Sequence, residues 1–347
     1  MKVIIDDKIP FVSQSLTESI DEVLFIPGNK FTPDIIKNAD ALIIRTRTIC
    51  NKELLEGSKV QFIATATIGY DHIDTEYCRQ NGIFWANAPG SNSSSVAQYI
   101  ESTLILLEKD YNFSLEGKTI GIIGVGNVGS KIETIAKKYG LKVLLNDPPR
   151  AAAEGNSDFV AIEQILEKSD IITFHVPLVK EGIHKTLHLG NARFFNSLKA
   201  KPVIINTSRG EVIDTEALIL ALESGKVANA IIDVWENEPD INKVLLGKAV
   251  IATPHIAGYS ADGKANATRM SLHSLCNYFN LPGDFTVFPP LPENNVIIAN
   301  SVEEALLKIY DPRIDSVKLK EQPELFEWFR GNYPLRREKV AYRVHIK

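Results

Sequence analysis

The sequence has few cysteines, no excess of positive charge and no long apolar run, and each shortage excludes a class of protein. Its three cysteines, Cys50, Cys78 and Cys276, are too scattered for a disulfide framework and lack metal-ligand spacing. They favour a reducing compartment, so we expect a cytoplasmic protein without a metal. A formal net charge of −5 gives no basic field for nucleic acid. With no signal peptide or spanning segment, we expect no membrane association.

What is present is the composition of an ordinary globular protein, with 44% hydrophobic and 23% charged residues. A chain of 347 residues suggests two or three domains. Its first 90 residues alternate apolar runs with helical stretches, which is typical of a parallel sheet covered on both faces. The predicted strands are Val3–Ile5, Val23–Ile26, Ala41–Arg45, Phe62–Ala66 and Ile83–Asn87, with helices near 13–20, 33–38, 51–57 and 74–81.

A glycine-rich turn is the clearest motif. The apolar run Ile120 to Val125 predicts a buried strand, and it leads into Gly124-x-Gly126-x-x-Gly129 and a helix. In a dinucleotide site the first glycine makes the turn, the second admits the pyrophosphate and the third lets helix pack on strand. Asn127 and Val128 lie inside the turn and are predicted to bind cofactor with it. The alternative is an ordinary tight turn.

A second predicted strand favours the dinucleotide interpretation. It runs from Leu141 to Asn146 and ends at Asp147, about 20 residues after the glycines, where an acid binds the ribose hydroxyls. Asp147 would repel a 2′-phosphate, so we expect NAD rather than NADP. Arg150 weakens that preference, because a nearby arginine can accept the 2′-phosphate.

Four further predicted strands bring the second domain to six strands, the number in the doubly wound dinucleotide-binding fold. They are Ile171–Val176, Val203–Thr207, Ala228–Val234 and Val250–Thr253, and the next helix, Asp262 to Phe279, is expected to return to the first domain. The first domain is therefore predicted to span 1–95 with 259–285 and to bind substrate. The NAD domain is predicted at 96–258 and a C-terminal segment at 286–347.

Arg209, Glu238 and His255 each follow a strand of the second sheet. Oxidation of an alcohol by NAD needs a base for the hydroxyl proton, which suits a histidine fixed by a carboxylate. An arginine can bind a substrate carboxylate in bidentate fashion. The three side chains are predicted to be catalytic, although each also has a structural alternative: a turn for Arg209, solvation for Glu238 and a backbone hydrogen bond for His255.

The remaining histidines lack an acid and an arginine at matching strand ends; they are His72, His175, His184, His188, His273 and His345. We expect His175 to line the cofactor pocket. Asp71-His72-x-Asp74 could suggest a metal, but Asp74 is better placed as the N-cap of the next helix. In the first domain, Arg45 and Arg47 flank Thr46 at a strand end, where a guanidinium suits a phosphate or carboxylate. Two solvated surface arginines are the alternative.

Several motifs together resemble the D-isomer-specific 2-hydroxyacid dehydrogenases. They are the glycine turn, Thr207-Ser208-Arg209-Gly210, Asp233-Val234-Trp235, Glu238-Pro239 and Pro254-His255-Ile256-Ala257-Gly258. Other stretches resemble the branch of that family that oxidises 4-phospho-D-erythronate with NAD, among them Asn146-Asp147-Pro148-Pro149-Arg150 and Asn332-Tyr333-x-x-Arg336-Arg337-Glu338. This resemblance covers nearly the whole chain.

The resemblance implies an α/β protein with a flavodoxin-like substrate domain, a Rossmann NAD domain and a small α+β C-terminal dimerisation segment. It implies Arg209 and Glu238 as active-site residues and His255 as the proton donor and acceptor. Thr46, Thr67 and Tyr259 fall at substrate positions, and Asp147, Val176, Thr207, Asp233 and Gly258 at cofactor positions. We add Ser208, Arg209 and His175 to the cofactor set, and Arg45, Arg47 and Gly69 to the substrate set.

We therefore expect a homodimeric enzyme with a small phosphorylated hydroxy acid as substrate. Two alternatives stay open. One is a dehydrogenase for another 2-hydroxy acid, such as phosphoglycerate or glycerate. The other is an NAD-sensing interaction protein that uses nucleotide binding to drive assembly.

Overall fold

The computed structural model describes residues 1–12, 20–155, 158–282 and 287–347. The helix predicted near 13–20 lies outside the described residues for all but its last position. The chain divides into two compact units, residues 1–92 with 260–293 and residues 93–259 with 294–347.

The first unit is built on a five-stranded sheet in which every neighbouring pair is parallel, in the order β2-β1-β3-β4-β5. This is the flavodoxin-like order. Its strands are β1 (Lys2–Asp6), β2 (Glu22–Ile26), β3 (Ala41–Ile44), β4 (Phe62–Thr65) and β5 (Phe84–Ala86). Its α-helices are Pro33–Ile36, Lys52–Leu55, Thr75–Gln80 and Ala261–Phe279, and Gly28–Lys30 is a 3₁₀-helix.

Both faces of this sheet are buried, which explains why its central strands are continuous apolar runs. Ile5 and Ile43 pack with Leu272 of the long helix on one face, and Ile4 and Leu42 pack into a second cluster on the other. That long helix does belong to the first unit, as its place in the sequence predicts. At the carboxyl ends of β3 and β4 lie Arg45–Arg47 and Thr67–Gly69.

The second unit has a six-stranded parallel sheet in the order β11-β10-β9-β8-β6-β7. Its strands are β6 (Thr119–Ile123), β7 (Lys142–Asn146), β8 (Ile171–Phe174), β9 (Val203–Asn206), β10 (Asn229–Ile232) and β11 (Ile251–Ala252). The order reverses between β6 and β8, the switch point at which doubly wound sheets bind ligands. An isolated parallel bridge joins Leu145 to Phe159 beyond β7.

Helices cover both faces of this second sheet, so the predicted doubly wound fold is confirmed for both units. They are Ser93–Tyr111, Gly129–Lys138, Pro148–Glu154, Ile162–Lys168, Ala192–Asn196, Thr215–Glu223 and Lys243–Lys248, with a 3₁₀-helix at Gly210–Val212. The first of these helices is buried through most of its length and packs on β6 side chains such as Ile120 and Ile122.

The C-terminal residues 294–347 are ordered and pack within the second unit. They contain a small parallel strand pair, β12 (Val296–Ala299) and β13 (Arg343–Ile346). Their helices are Val302–Ile309, Pro312–Glu321 and Phe326–Gly331, with 3₁₀-helices at Pro323–Leu325 and Lys339–Ala341. Ser316 accepts a hydrogen bond of 2.9 Å from the Ala252 N–H, so the helix Pro312–Glu321 covers the outer edge of β11. In the part of the chain that the structure describes, no helix is long and apolar enough to cross a bilayer.

Candidate active site

The glycine turn after β6 has the geometry that a dinucleotide site requires. Gly124 has φ +88°, a left-handed conformation that favours glycine, and a Cβ there would lie 2.6 Å from the His175 carbonyl oxygen. Gly126 is exposed, and an added Cβ would meet no atom within 4 Å. A Cβ on Gly129 would lie 2.1 Å from the Gly124 carbonyl oxygen. The second glycine thus faces open space, while the first and third are packed against backbone.

Asp147 closes this turn from the end of β7. Its Oδ2 accepts a hydrogen bond of 2.8 Å from the Val125 N–H, and its Oδ1 accepts one of 3.1 Å from the Arg150 N–H. Each carboxylate oxygen has a second lone pair, which is available to a ribose hydroxyl. Arg150 forms an ion pair of 2.6 Å with Glu154 and covers the Phe159 ring. Because its charge is offset by Glu154, Arg150 is poorly suited to a 2′-phosphate, and the site fits NAD.

Further predicted cofactor residues border the turn. Asn127 is exposed and Val128 directly precedes the helix that starts at Gly129. A Cβ added to Gly124 would lie 2.8 Å from Cγ1 of Val176, so the Val176 side chain is close to the turn. The two strand ends around the switch point therefore converge on the glycine turn.

His175 is held between two threonines. Its Nε2 is 2.8 Å from the Thr173 hydroxyl and its Nδ1 is 3.4 Å from the Thr207 hydroxyl. Burial lowers the pKa of His175 to about 3, so the ring is neutral near pH 7. A neutral imidazole of this kind is suited to lining a pocket and unsuited to carrying protons.

His255 and Glu238, predicted as a catalytic pair, are in direct contact. His255 Nδ1 lies 2.8 Å from Glu238 Oε2, with side chains 29% and 18% exposed. The other carboxylate oxygen accepts a hydrogen bond of 2.9 Å from the Trp235 N–H. Burial acts to raise the pKa of Glu238, but hydrogen bonds from His255 and Trp235 outweigh it and the pKa is lowered. An ionised Glu238 fixes the proton on Nδ1 and leaves Nε2 of His255 able to accept a proton.

The backbone of His255 is held in a rare conformation by Asp233. His255 has φ 56°, which is uncommon for a residue with a side chain. The buried Asp233 carboxylate accepts hydrogen bonds from Ile256 N–H (2.8 Å), Ala257 N–H (3.0 Å) and the Thr253 hydroxyl (2.6 Å). These hydrogen bonds stabilise the turn that carries the His255 ring. They also engage the carboxylate of Asp233, a residue that the resemblance places at a cofactor position.

Arg209 lies in the turn after β9, beside the loop that carries Glu238. A Cβ on Gly210 would lie 2.0 Å from the Trp235 carbonyl group, so these two backbones are in close contact. The Arg209 guanidinium donates a hydrogen bond of 2.8 Å to the Ser208 carbonyl oxygen, and the buried Ser208 is bonded to Asn206. Arg209 thus stabilises its own turn and remains partly exposed.

In the first unit, Arg45 and Arg47 have different surroundings. The Arg45 guanidinium lies 3.3 Å from the carboxylate of Asp6, which is fully buried at the end of β1. Thr46 and Arg47 are exposed. The pair therefore combines one arginine that is anchored by an acid on β1 with one arginine on an exposed part of the turn.

The turn after β4 is organised by hydroxyl groups. Thr67 donates a hydrogen bond of 2.8 Å to the Gly69 carbonyl oxygen, and its hydroxyl lies 2.6 Å from that of Thr65. His72 joins the same network through Thr65, at 3.0 Å, and burial lowers its pKa. Asp74 accepts the Tyr77 N–H at 2.9 Å, which confirms the predicted N-cap.

The sequence-based interpretation was wrong about His188. His188 Nε2 lies 2.7 Å from Glu236 Oε1, so there is a second imidazole–carboxylate pair, and its glutamate lies two residues before Glu238. Glu236 also accepts the Thr215 N–H at 2.9 Å. Glu236 and Glu238 lie in one turn after β10, so the sequence offered two acids there as candidate partners of a histidine.

Sequence reasoning also missed the residues of the C-terminal segment that reach this site. Arg330 Nη1 lies 3.7 Å from Glu238 Oε2, and Arg330 Nη2 lies 3.3 Å from the Tyr259 hydroxyl. Arg336 donates to the Ala257 carbonyl oxygen, next to Gly258. No motif spacing signals these contacts, because they join residues more than 70 positions apart.

Comparison with known proteins gives a consistent result. Residues 97–257 match the family model described as "D-isomer specific 2-hydroxyacid dehydrogenase, NAD binding domain". The chain is 60% identical over 344 residues to erythronate-4-phosphate dehydrogenase of Bacteroides thetaiotaomicron, which covers 99% of both proteins.

Solved structures with the same fold include two NAD complexes. The 3-phosphoglycerate dehydrogenase of Entamoeba histolytica with NAD⁺ is 28% identical, with a TM-score of 0.68, over 82% of this chain and 99% of that one. The D-lactate dehydrogenase of Aquifex aeolicus with NAD and lactic acid is 26% identical, with a TM-score of 0.66, over 84% and 100%.

Proposed function

The chain belongs to the D-isomer-specific 2-hydroxyacid dehydrogenase family, and from this premise we propose that it oxidises 4-phospho-D-erythronate at C2. The product is (R)-3-hydroxy-2-oxo-4-phosphooxybutanoate, in the route to pyridoxal 5′-phosphate. NAD is the cofactor. The observation that carries the choice of substrate is the full-length similarity to a named erythronate-4-phosphate dehydrogenase.

His255 and Glu238 perform the proton chemistry of this reaction. The glycine turn and Asp147 would hold NAD, which would supply the acceptor for the C2 hydride. Nε2 of His255 takes the proton of the C2 hydroxyl, because Nδ1 is committed to Glu238. The Glu238 carboxylate stabilises the imidazolium that results, as an orienting carboxylate does in hydrolytic triads. Arg209 binds the substrate carboxylate and polarises the oxygen at C2.

The remaining substrate contacts are proposed from position. Thr46, the Thr67–Gly69 turn and Tyr259 bind hydroxyl and carboxylate oxygens of the substrate. For the cofactor, we propose the glycine turn with Asn127 and Val128, Asp147, His175, Val176, Thr207, Ser208, Arg209, Asp233 and Gly258. The open space above Gly126 and the remaining lone pairs of Asp147 support this set.

A substrate screen tests the activity. We expect NADH absorbance to rise with 4-phospho-D-erythronate much faster than with 3-phosphoglycerate, glycerate or D-erythronate. Enzyme should be used at a concentration where one turnover is visible, so that NADH that stays bound is also detected. A faster reaction with phosphoglycerate or glycerate would reassign the substrate. NAD-dependent assembly without NADH formation from any hydroxy acid would support a sensor instead.

Arg45 and Arg47 are proposed to bind the substrate phosphate. Charge-assisted hydrogen bonds are worth about 1.5–3 kcal/mol, so Arg47→Gln should raise KM for the phosphorylated substrate by about 10- to 100-fold. Arg79→Gln is the matched control, since Arg79 is an exposed arginine of the same unit paired with Glu76. Equal KM increases for D-erythronate and its phosphate, or none for either, would contradict this role.

We also propose a cytoplasmic homodimer. The three buried thiols support a reducing compartment. On one face of the strand pair β12–β13, Val296 and Ile298 are 38% and 53% exposed, and these exposed apolar side chains support a subunit contact there.

A charge on this face should separate the subunits. Ile298→Glu is expected to shift the protein from dimer to monomer in sedimentation equilibrium, because a buried unpaired carboxylate is costly. Ile183→Glu is the control, since Ile183 is 95% exposed in a loop of the same unit. An unchanged dimer in the Ile298 variant would place the subunit contact elsewhere.

A further inference from the structure

Arg330 places a positive charge beside the proton-accepting pair. Its Nη1 lies 3.7 Å from Glu238 Oε2, the same oxygen that contacts His255 Nδ1. The Arg330 side chain is only 23% exposed, so water screens this pair less than it screens a surface ion pair. Glu238 therefore has two positive neighbours whenever His255 is protonated.

The guanidinium is fixed by groups other than Glu238. Glu327, one turn earlier on the helix Phe326–Gly331, lies 3.3 Å from Nη1. Nη2 lies 3.3 Å from the Tyr259 hydroxyl, and the guanidinium carbon is 5.9 Å from the Tyr259 ring centre and 6.0 Å from that of Phe326. The C-terminal segment thus holds the positive charge of Arg330 in a fixed position beside Glu238.

The charges around the pair determine the direction of its effect. Asp233 and Glu238 are the acids that interact with His255, and Glu327 offsets part of the Arg330 charge. The Tyr259 hydroxyl is a further titratable group in contact with Arg330. A cation next to Glu238 weakens the negative potential that this carboxylate exerts on the imidazole, and it also orients the carboxylate.

We propose that Arg330 is a positioning residue, which holds Glu238 and limits how strongly Glu238 stabilises the protonated form of His255. The inference rests on the proposed function, because it gives Arg330 a role in the proton transfer to His255. It extends the active site to the C-terminal segment, which the family model at 97–257 does not include.

The pH profile of kcat/KM is the primary test. In the oxidation direction His255 must be neutral, so activity falls on the acid side as His255 becomes protonated. Arg330→Gln removes the positive charge beside Glu238, and the acid limb of the kcat/KM profile should move to higher pH by about one unit. Arg330→Lys keeps the charge, and its limb should remain close to the wild-type position.

Arg313→Gln is the matched control, because Arg313 lies in the same C-terminal segment but pairs with Asp311 and Asp110. Its acid limb should not move. A loss of kcat in Arg330→Gln at every pH with an unmoved limb would overturn the proposal in favour of a structural role. A raised KM for the phosphorylated substrate with an unmoved limb would overturn it in favour of a substrate ligand.

A measurement without substrate separates this inference from the proposed function. The titration of His255 can be followed by NMR of histidine-labelled protein, with the His255→Gln variant to assign the signal. Its midpoint should rise in Arg330→Gln even if no hydroxy acid is turned over. If Arg330→Gln does not fold, Arg330→Met retains an aliphatic stem of similar length without the charge, and the same shift is expected. An unchanged midpoint of the His255 titration in a folded variant would overturn the proposal.

Discussion

Replacing His255 with glutamine is expected to lower kcat by about a thousandfold, within the range that general base catalysis contributes. Glutamine can still accept and donate hydrogen bonds near Glu238, but it cannot take the hydroxyl proton of the substrate. The glycine turn and Asp147 are untouched, so the Kd for NAD should stay within about twofold of the wild-type value. Single-turnover NADH absorbance and fluorescence titration with NAD measure the two quantities.

His188→Gln provides a control of the same kind. His188 also contacts a glutamate, Glu236, at 2.7 Å, but the pair joins a turn to the loop after β10. We expect this variant to keep kcat within a few-fold, with a modest loss of thermal stability. If His255→Gln retained most of its turnover while His188→Gln lost it, the two pairs would have been assigned the wrong way round.

Alanine at Gly126 and alanine at Gly129 are expected to have opposite effects. At Gly126 an added Cβ meets no protein atom within 4 Å, so Tm of the free protein should not change. The Cβ would instead occupy the space through which the pyrophosphate approaches, and the Kd for NAD should rise by at least about tenfold. At Gly129 the Cβ would stand 2.1 Å from the Gly124 carbonyl oxygen.

The obstruction at Gly129 is backbone, which cannot rotate away. Overpacking of this kind costs about 1–3 kcal/mol, so we expect a fall in Tm of several degrees, about 5–10 °C. Differential scanning calorimetry and NAD titration of both variants make the comparison. An NAD affinity in Gly126→Ala equal to that of the wild type would mean that the cofactor does not approach this backbone.

The sequence predicted individual strands well where burial on both faces made them continuous apolar runs. The ends of β6 and β7 lie within two residues of their predicted limits, and the C-terminal ends of β8 and β10 were predicted two residues too long. Val176 and Val234 continue the apolar pattern past the last paired residue of β8 and of β10, so hydropathy alone cannot locate where pairing stops.

The candidate site was predictable to the extent that it lies at strand ends. Glu238 and His255 each follow a strand, and parallel strands β10 and β11 are neighbours, so their loops meet at one edge. The partner of His188 was missed because His188 lies in a loop well beyond the end of β8 and not directly at a strand end. Arg330 was missed for the same reason, since its contact depends on how the C-terminal helices pack.

By itself, the sequence determined the fold class, the glycine turn, Asp147 and the identities of the three candidate catalytic side chains, because each follows from local spacing along the strands, turns and helices. The tertiary structure alone decided which imidazole pairs with which carboxylate, which of two arginines is anchored by Asp6, and that Arg330 stands beside Glu238. These contacts join residues far apart in the chain, and their distances depend on packing that no local pattern records.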